Sequence, residues 1–102
     1  MTHRVHINPA AIADSQAIHA YLFEASPDAA DRVLELLEKA ADALCDFPRR
    51  YPVAPESARH NLEIRQLRVG NYVMLFMIIE DVVNVLRIRH AAQRPFKPGE
   101  LN

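Results

Sequence analysis

Eight consecutive apolar residues, Tyr-Val-Met-Leu-Phe-Met-Ile-Ile at positions 72–79, set the first limit on what this chain can become. A run that short, bounded by Gly70-Asn71 before it and Glu80-Asp81 after it, reads as a strand. Both of its faces are apolar, so it has to be a central strand covered by helices on one side and by something else on the other. The two flanking pairs are tight turns, and the segments beyond them complete an antiparallel meander: "LEIRQLRV" upstream and "VVNVLRIR" downstream. The downstream segment alternates. Val83, Val85, Arg87 and Arg89 fall on one face; Leu86, Ile88 and His90 fall on the other. In the upstream segment the apolar parity switches between Ile64 and Leu67, which predicts a bulge or a shared burial there.

The helical cover is encoded earlier. "HRVHI" at 3–7 suits a first strand, being short and carrying β-branched residues. Asn8 can then cap a helix whose first position is Pro9, where a missing N–H costs nothing. Ser26-Pro27 repeats that start signal. The spacing predicts helices near 9–25 and 27–46. Ala11, Ile18 and Leu22 form the apolar stripe of the first; Ala30, Val33, Leu37, Ala40 and Leu44 form that of the second. Two amphipathic helices joined this tightly make an antiparallel hairpin. Residues 48–61 hold three prolines and no periodicity, so a functional or mobile loop is expected. The proline-rich tail from about 91 should leave the sheet in extended form. The expectation is a single α+β domain over residues 1–102 in the order β-α-α-β-β-β, with the hairpin on one face of a mainly antiparallel sheet.

Composition narrows the function. With 102 residues, half of them hydrophobic, the chain can bury a proper core. The net charge of −1 hides an asymmetry: residues 1–48 carry three basic against eight acidic side chains, and residues 49–102 carry nine against five. A partner recognised by the basic back half follows; strong unspecific binding of nucleic acid does not. Cys45 is alone, which excludes an intrachain disulfide and paired-cysteine zinc patterns. No segment approaches the length of a membrane span, so a cytoplasmic protein is expected, with no membrane partner. No metal site and no cofactor is expected: His3 and His6 lie on opposite strand faces, and Gly70 and Gly99 cannot build a phosphate loop. Ser15 and His19 lack an orienting carboxylate for a triad. Cys45 is a small core filler before it is a nucleophile.

What stands out chemically is "NVLRIRHAAQR" at 84–94, where a strand leaves the core carrying Arg87, Arg89 and His90. Metal-free RNA cleavage would need a base, an acid and phosphate-binding cations. His90 could titrate and the arginines could bind phosphate, but alternation turns the histidine away from them.

The whole chain resembles the RelE/ParE superfamily of toxins from bacterial type II toxin–antitoxin modules. The residues that carry the likeness are "AIADSQAIHAYL", "ALCDFPRR", "IRQLRVGNYVMLF" and above all "VVNVLRIRHAAQR", together spanning roughly residues 3–94. The resemblance implies a cognate antitoxin, in a hetero-oligomer expected to be a heterotetramer, and one of two targets. RelE-like members cut mRNA in the ribosome; ParE-like members poison DNA gyrase. In the nucleases an arginine follows the tyrosine of the G-x-Y motif, and this sequence has Val73 there. Those nucleases also tend to use a late tyrosine or histidine as base, and no tyrosine follows Tyr72. The ParE-like, non-enzymatic reading is therefore favoured. The alternatives are a ribosome-dependent endoribonuclease using Arg87, Arg89 and His90, or a degenerate member that binds its antitoxin without being toxic. The surface expected to bind the partner is the sheet face left open by the helices: Arg65, Val73, Leu75, Met77, Arg87 and Arg89, with Ile79 at its end.

Overall fold

The computed structural model describes residues 2–97 and 99–101. A short strand β1 (Arg4–Ile7) leads into helices α1 (Pro9–Ala25) and α2 (Pro27–Ala43). A 3₁₀ turn (Pro48–Arg50) and a short helix α3 (Pro55–His60) follow, then strands β2 (Arg65–Val69), β3 (Tyr72–Ile79) and β4 (Val82–His90). The sheet order is β1-β4-β3-β2, with β1 parallel to β4 and the other pairings antiparallel. Among the described residues, no helix is long and apolar enough to cross a membrane.

Local chemistry sets these elements. Ser26 alone joins α1 to α2: its N–H donates to the carbonyl of Leu22 at 2.9 Å, and its Oγ accepts from the N–H of Ala29 at 3.2 Å. One residue thereby closes the first helix and caps the second, which forces the hairpin. Asn8 stands at the N-cap of α1 without a side-chain cap bond, and Pro9 takes the first helical position as expected. The second helix stops at Ala43, short of 46.

Two apolar layers sandwich the sheet. On the helix side Leu37, Ala41 and Leu44 pack on Met74, Phe76, Val83, Val85 and Ile88. On the other side Ala54, Ile64, Val73, Leu75 and Leu101 form a second buried cluster, with Met77, Leu86 and Phe96 against it. The cover of that second side comes from this same chain: α3 with its approach, and the tail. Residues 48–61 are thus no bare loop, and the tail folds back over the sheet instead of leaving it.

The parity switch in the β2 segment is met by shared burial, with Ile64 in the second layer and Leu67 packed on the helix side, and the bulge lies on β4. Leu75 and Phe76 are consecutive on β3, yet their partners on β4 are Arg87 and Val85, so Leu86 is an extra residue. The β2–β3 register runs without a break. A bulge reverses which face later side chains take. Val83 and Val85 accordingly face the helices, while Arg89 stands opposite Val73 on the second face. The single alternation read from Val83 to Arg89 is corrected at Leu86.

Removing the chain after Pro95 deletes Phe96 and Leu101 from the second layer. By the usual value of a buried large apolar side chain, this should cost about 2–4 kcal/mol of stability and uncover Val73 and Leu75. Denaturant unfolding together with fluorescence of a hydrophobic dye checks both consequences.

Candidate functional site

Parallel pairing of β1 with β4 ends at Ile7 and Val85. The chain then turns into α1, and residues 86–90 of β4 are left with no strand on the side away from β3. Bare edge N–H groups invite other chains. Here side chains occupy them. The Asp14 carboxylate of α1 accepts from the Ile88 N–H at 2.9 Å, and the Gln93 amide oxygen accepts from the His90 N–H at 2.7 Å.

The same carboxylate holds Arg87. Its Nε and one terminal nitrogen donate to the two oxygens of Asp14 at 2.7 and 2.9 Å, a two-pronged pair. The guanidinium lies over the Phe96 ring, 4.5 Å from its centroid, and donates to the carbonyl of Glu100. Hydrogen bonds and charge from Asp14 raise the Arg87 pKa above its ordinary value, against the opposing effect of burial. Arg87 therefore stays charged at any ordinary pH.

Arg89 is more deeply committed. Its side chain is 6% exposed, and that of its partner Glu56, from α3, is 0% exposed. Nε donates to one carboxylate oxygen at 2.8 Å and a terminal nitrogen to the other at 3.4 Å. The Phe96 N–H also donates to Glu56, at 3.1 Å. Helix α3, strand β4 and the tail therefore meet at one carboxylate. Burial would push the Glu56 pKa up. Hydrogen bonds from Arg89, from the Phe96 N–H and from its own N–H, with the Arg89 charge, outweigh this and hold it below the ordinary 4.5.

Arg65 faces the 3₁₀ corner. It donates to the carbonyls of Arg49 (3.1 Å) and Tyr51 (2.6 Å) and pairs with Glu63 (2.7 Å). His90 is exposed; its Nδ1 accepts from the Ala92 N–H at 3.0 Å and its ring meets Tyr72 edge to face at 5.4 Å. Asp14, Tyr72, Arg87, Arg89, His90 and Phe96 contribute to the wall of a cleft of about 440 Å³ beside the β4 edge.

These positions correct the expected open face. Val73 and Leu75 do lie opposite the helices, but they are buried beneath α3 and the tail. Met77 is half-buried, and Ile79 remains exposed. Arg65, Arg87 and Arg89 all serve bonds within the chain. Arg87, Arg89 and His90 do line one cleft, but each arginine is paired with a carboxylate of the chain, and His90 pairs in register with Tyr72 while Arg89 stands opposite Val73. Among the described residues, no group of three or more His, Cys, Asp or Glu side chains is placed to hold a metal ion. Sequence reading missed Asp14, Glu56 and Phe96. A signal was present, since two arginines on a face that must be covered require carboxylates, and Pro55-Glu56 has the form of a helix start.

Comparison with known proteins follows the same lines. A family model described as the ParE toxin of the type II toxin–antitoxin system parDE matches residues 5–95. Toxin RelE2 of Caulobacter vibrioides is 36% identical over 83 residues, covering 81% of this chain and 89% of that protein. Toxin RelE3 of the same organism is 28% identical over 94 residues, covering 88% and 96%. A solved structure of the chromosomal ParDE system from P. aeruginosa superposes with a TM-score of 0.71 at 17% identity, covering 87% of this chain and 96% of that one. The RelBE2 toxin–antitoxin complex from Mycobacterium tuberculosis gives 0.64 at 23% identity, covering 88% and 99%.

The buried pair makes a test in acid. Glu56 ionises more readily in the folded chain than in the unfolded one, so it stabilises the fold at neutral pH. That contribution is lost as pH falls below the ordinary carboxylate value and through the depressed folded-state value. Glu56→Gln leaves Arg89 buried and uncompensated and should cost roughly 3–5 kcal/mol at pH 7. The variant should also lose less stability than the wild type between pH 6 and pH 3. Urea unfolding across that range measures both.

Proposed function

We propose that this chain, which belongs to the RelE/ParE superfamily of type II toxin–antitoxin toxins, disables its target by docking and not by cutting RNA. Its cognate antitoxin holds it inactive, and the released toxin inhibits DNA gyrase. The observation that carries this reading is the engagement of Arg87 by Asp14 and of Arg89 by Glu56. A phosphate-cleaving site needs cations aimed at developing negative charge. These two guanidiniums already spend their charge on carboxylates of their own chain. Val73, where the nucleases of the superfamily place an arginine, is packed in the second layer. An arginine there would enter a filled space beside an existing buried cation.

A second reading, the ribosome-dependent endoribonuclease, draws support from the RelE names of the two curated relatives. His90 and Tyr72, at the rim of the cleft, would be its acid–base candidates.

The antitoxin surface moves with the arginines. Carboxylates of the chain itself occupy Arg87 and Arg89, two of the arginines expected to meet the partner. An apolar cleft of about 280 Å³ remains open at the hairpin, lined by Ile7, Ala11, Ile12, Leu34 and Leu37 above Ile88. Ile12 is half-exposed at its mouth. A helix of the antitoxin seated by its apolar face fits that shape.

Two measurements decide. Toxin produced alone and purified should block supercoiling by gyrase and leave ribosome-bound mRNA intact; site-specific cleavage of that mRNA would replace this reading with the second. Ile12→Glu should lower antitoxin affinity about tenfold or more without changing the unfolding midpoint, as titration calorimetry would show.

A further inference from the structure

Three described residues other than glycine have positive φ: Phe47, Asn61 and Glu80. Asparagine tolerates the left-handed region, and Glu80 sits in the tight turn between β3 and β4. Phe47 is different. Its φ of 48° and ψ of 51° place a bulky aromatic in a conformation that L side chains resist. Its ring is also 70% exposed. Strain in the backbone and water on the side chain both count against it. Glycine or asparagine would make the same turn at lower cost.

The corner beneath Phe47 is firmly fastened. Pro48 is buried, and the Tyr51 ring stands edge-on to Phe76 at 6.1 Å. The Arg65 guanidinium ties the carbonyls of Arg49 and Tyr51, and the Pro52 carbonyl accepts from the N–H of Gln66 at 2.9 Å. This platform presents Phe47, Arg49 and Arg50 outward, all exposed. Arg50 lies over the Tyr51 ring at 4.9 Å and donates to its hydroxyl at 2.8 Å. Among the described residues neither Arg49 nor Arg50 is in an ion pair, in contrast to Arg65, Arg87 and Arg89.

We propose that the corner Phe47–Arg49–Arg50 is the knob by which the toxin docks on its target, a protein surface with an apolar socket rimmed by carboxylates. This rests on the docking reading given above. Phe47 enters the socket, and the two guanidiniums pair with the rim. An aromatic flanked by arginines is the side-chain set that dominates binding energy at protein interfaces. A corner already held in place loses little further freedom on binding. Nucleic acid is the poorer match. Backbone tracking needs an extended basic groove with stacking platforms, and here two cations stand just beyond the end of α2, with Asp42 in its last turn and Asp46 after it.

The test uses the full chain with purified DNA gyrase and a short single-stranded RNA as probes, and growth arrest in cells as a readout independent of the target's identity. Phe47→Gly should raise the unfolding temperature by several degrees, because it relieves the left-handed strain, while weakening gyrase binding about thirtyfold or more. Arg49→Glu with Arg50→Glu should leave stability unchanged, slow association and abolish growth arrest. A lowered unfolding temperature for Phe47→Gly would make the ring a structural element and overturn the proposal. So would growth arrest that persists in both variants, or RNA binding that depends on these three side chains. Wild-type toxin that ignores gyrase but loses growth arrest with these substitutions would refute the choice of target and leave the knob standing.

Discussion

A guanidinium that ends up in a protein interior has to be neutralised where it stands, and Arg89 meets that condition through Glu56 alone among the described ion pairs. Breaking such a pair from one side is far costlier than never having built it. Much of the second layer is organised around this pair. Helix α3 has six residues, too few to be stable by itself, and it is held against the sheet by the carboxylate it delivers. The tail has no regular structure over residues 91–97, and the Phe96 N–H fastens it to the same carboxylate. With Leu101 inserted beside Val73 and Leu75, one ion pair and a few apolar contacts close a face that a four-stranded sheet would otherwise expose.

The β4 bulge makes this possible. Without Leu86 as an extra residue, the alternation that sends Val83 and Val85 into the helix layer would send both arginines there too. The bulge turns Arg89 onto the second face and lets Arg87 reach Asp14 around the strand edge. Asp14 then acts twice, pairing a cation and capping the Ile88 N–H. An edge blocked in this way is a poor template for a partner strand, which is why the docking surfaces proposed above lie at the hairpin and at the 3₁₀ corner.

The sequence made the helix hairpin, the central strand and the meander legible, because each rests on a local signal: Ser26-Pro27, the unbroken apolar run 72–79, and the turn pairs at 70–71 and 80–81. The assignment of Val73 and Leu75 to the face opposite the helices was equally legible from alternation. Their burial was not, since it depends on tail and loop residues that carry no periodicity and are placed only by tertiary contacts. The β4 bulge was hidden for a related reason. "VVNVLRIRH" satisfies a period of two all the way through, and only pairing with β3 reveals the skipped Leu86. The candidate site suffered most. Arg87 and Arg89 were recognisable as unusual, but their carboxylates lie 73 and 33 residues away in sequence, so free and committed arginines look alike in one dimension. The strain at Phe47 was not legible in the sequence, because backbone strain at an aromatic is visible only in dihedral angles.

The central claim is that the β4 arginines hold the fold together and perform no chemistry. Replacing the buried pair with apolar residues of similar volume, Arg89→Met together with Glu56→Leu, tests it most directly. Such exchanges are often neutral or stabilising for the fold. Growth arrest on producing this double variant is the measurement. The account predicts a folded protein that arrests growth as well as the wild type does. A folded double variant that is harmless, in cells where the wild type arrests growth, would contradict it and return Arg89 to the active machinery.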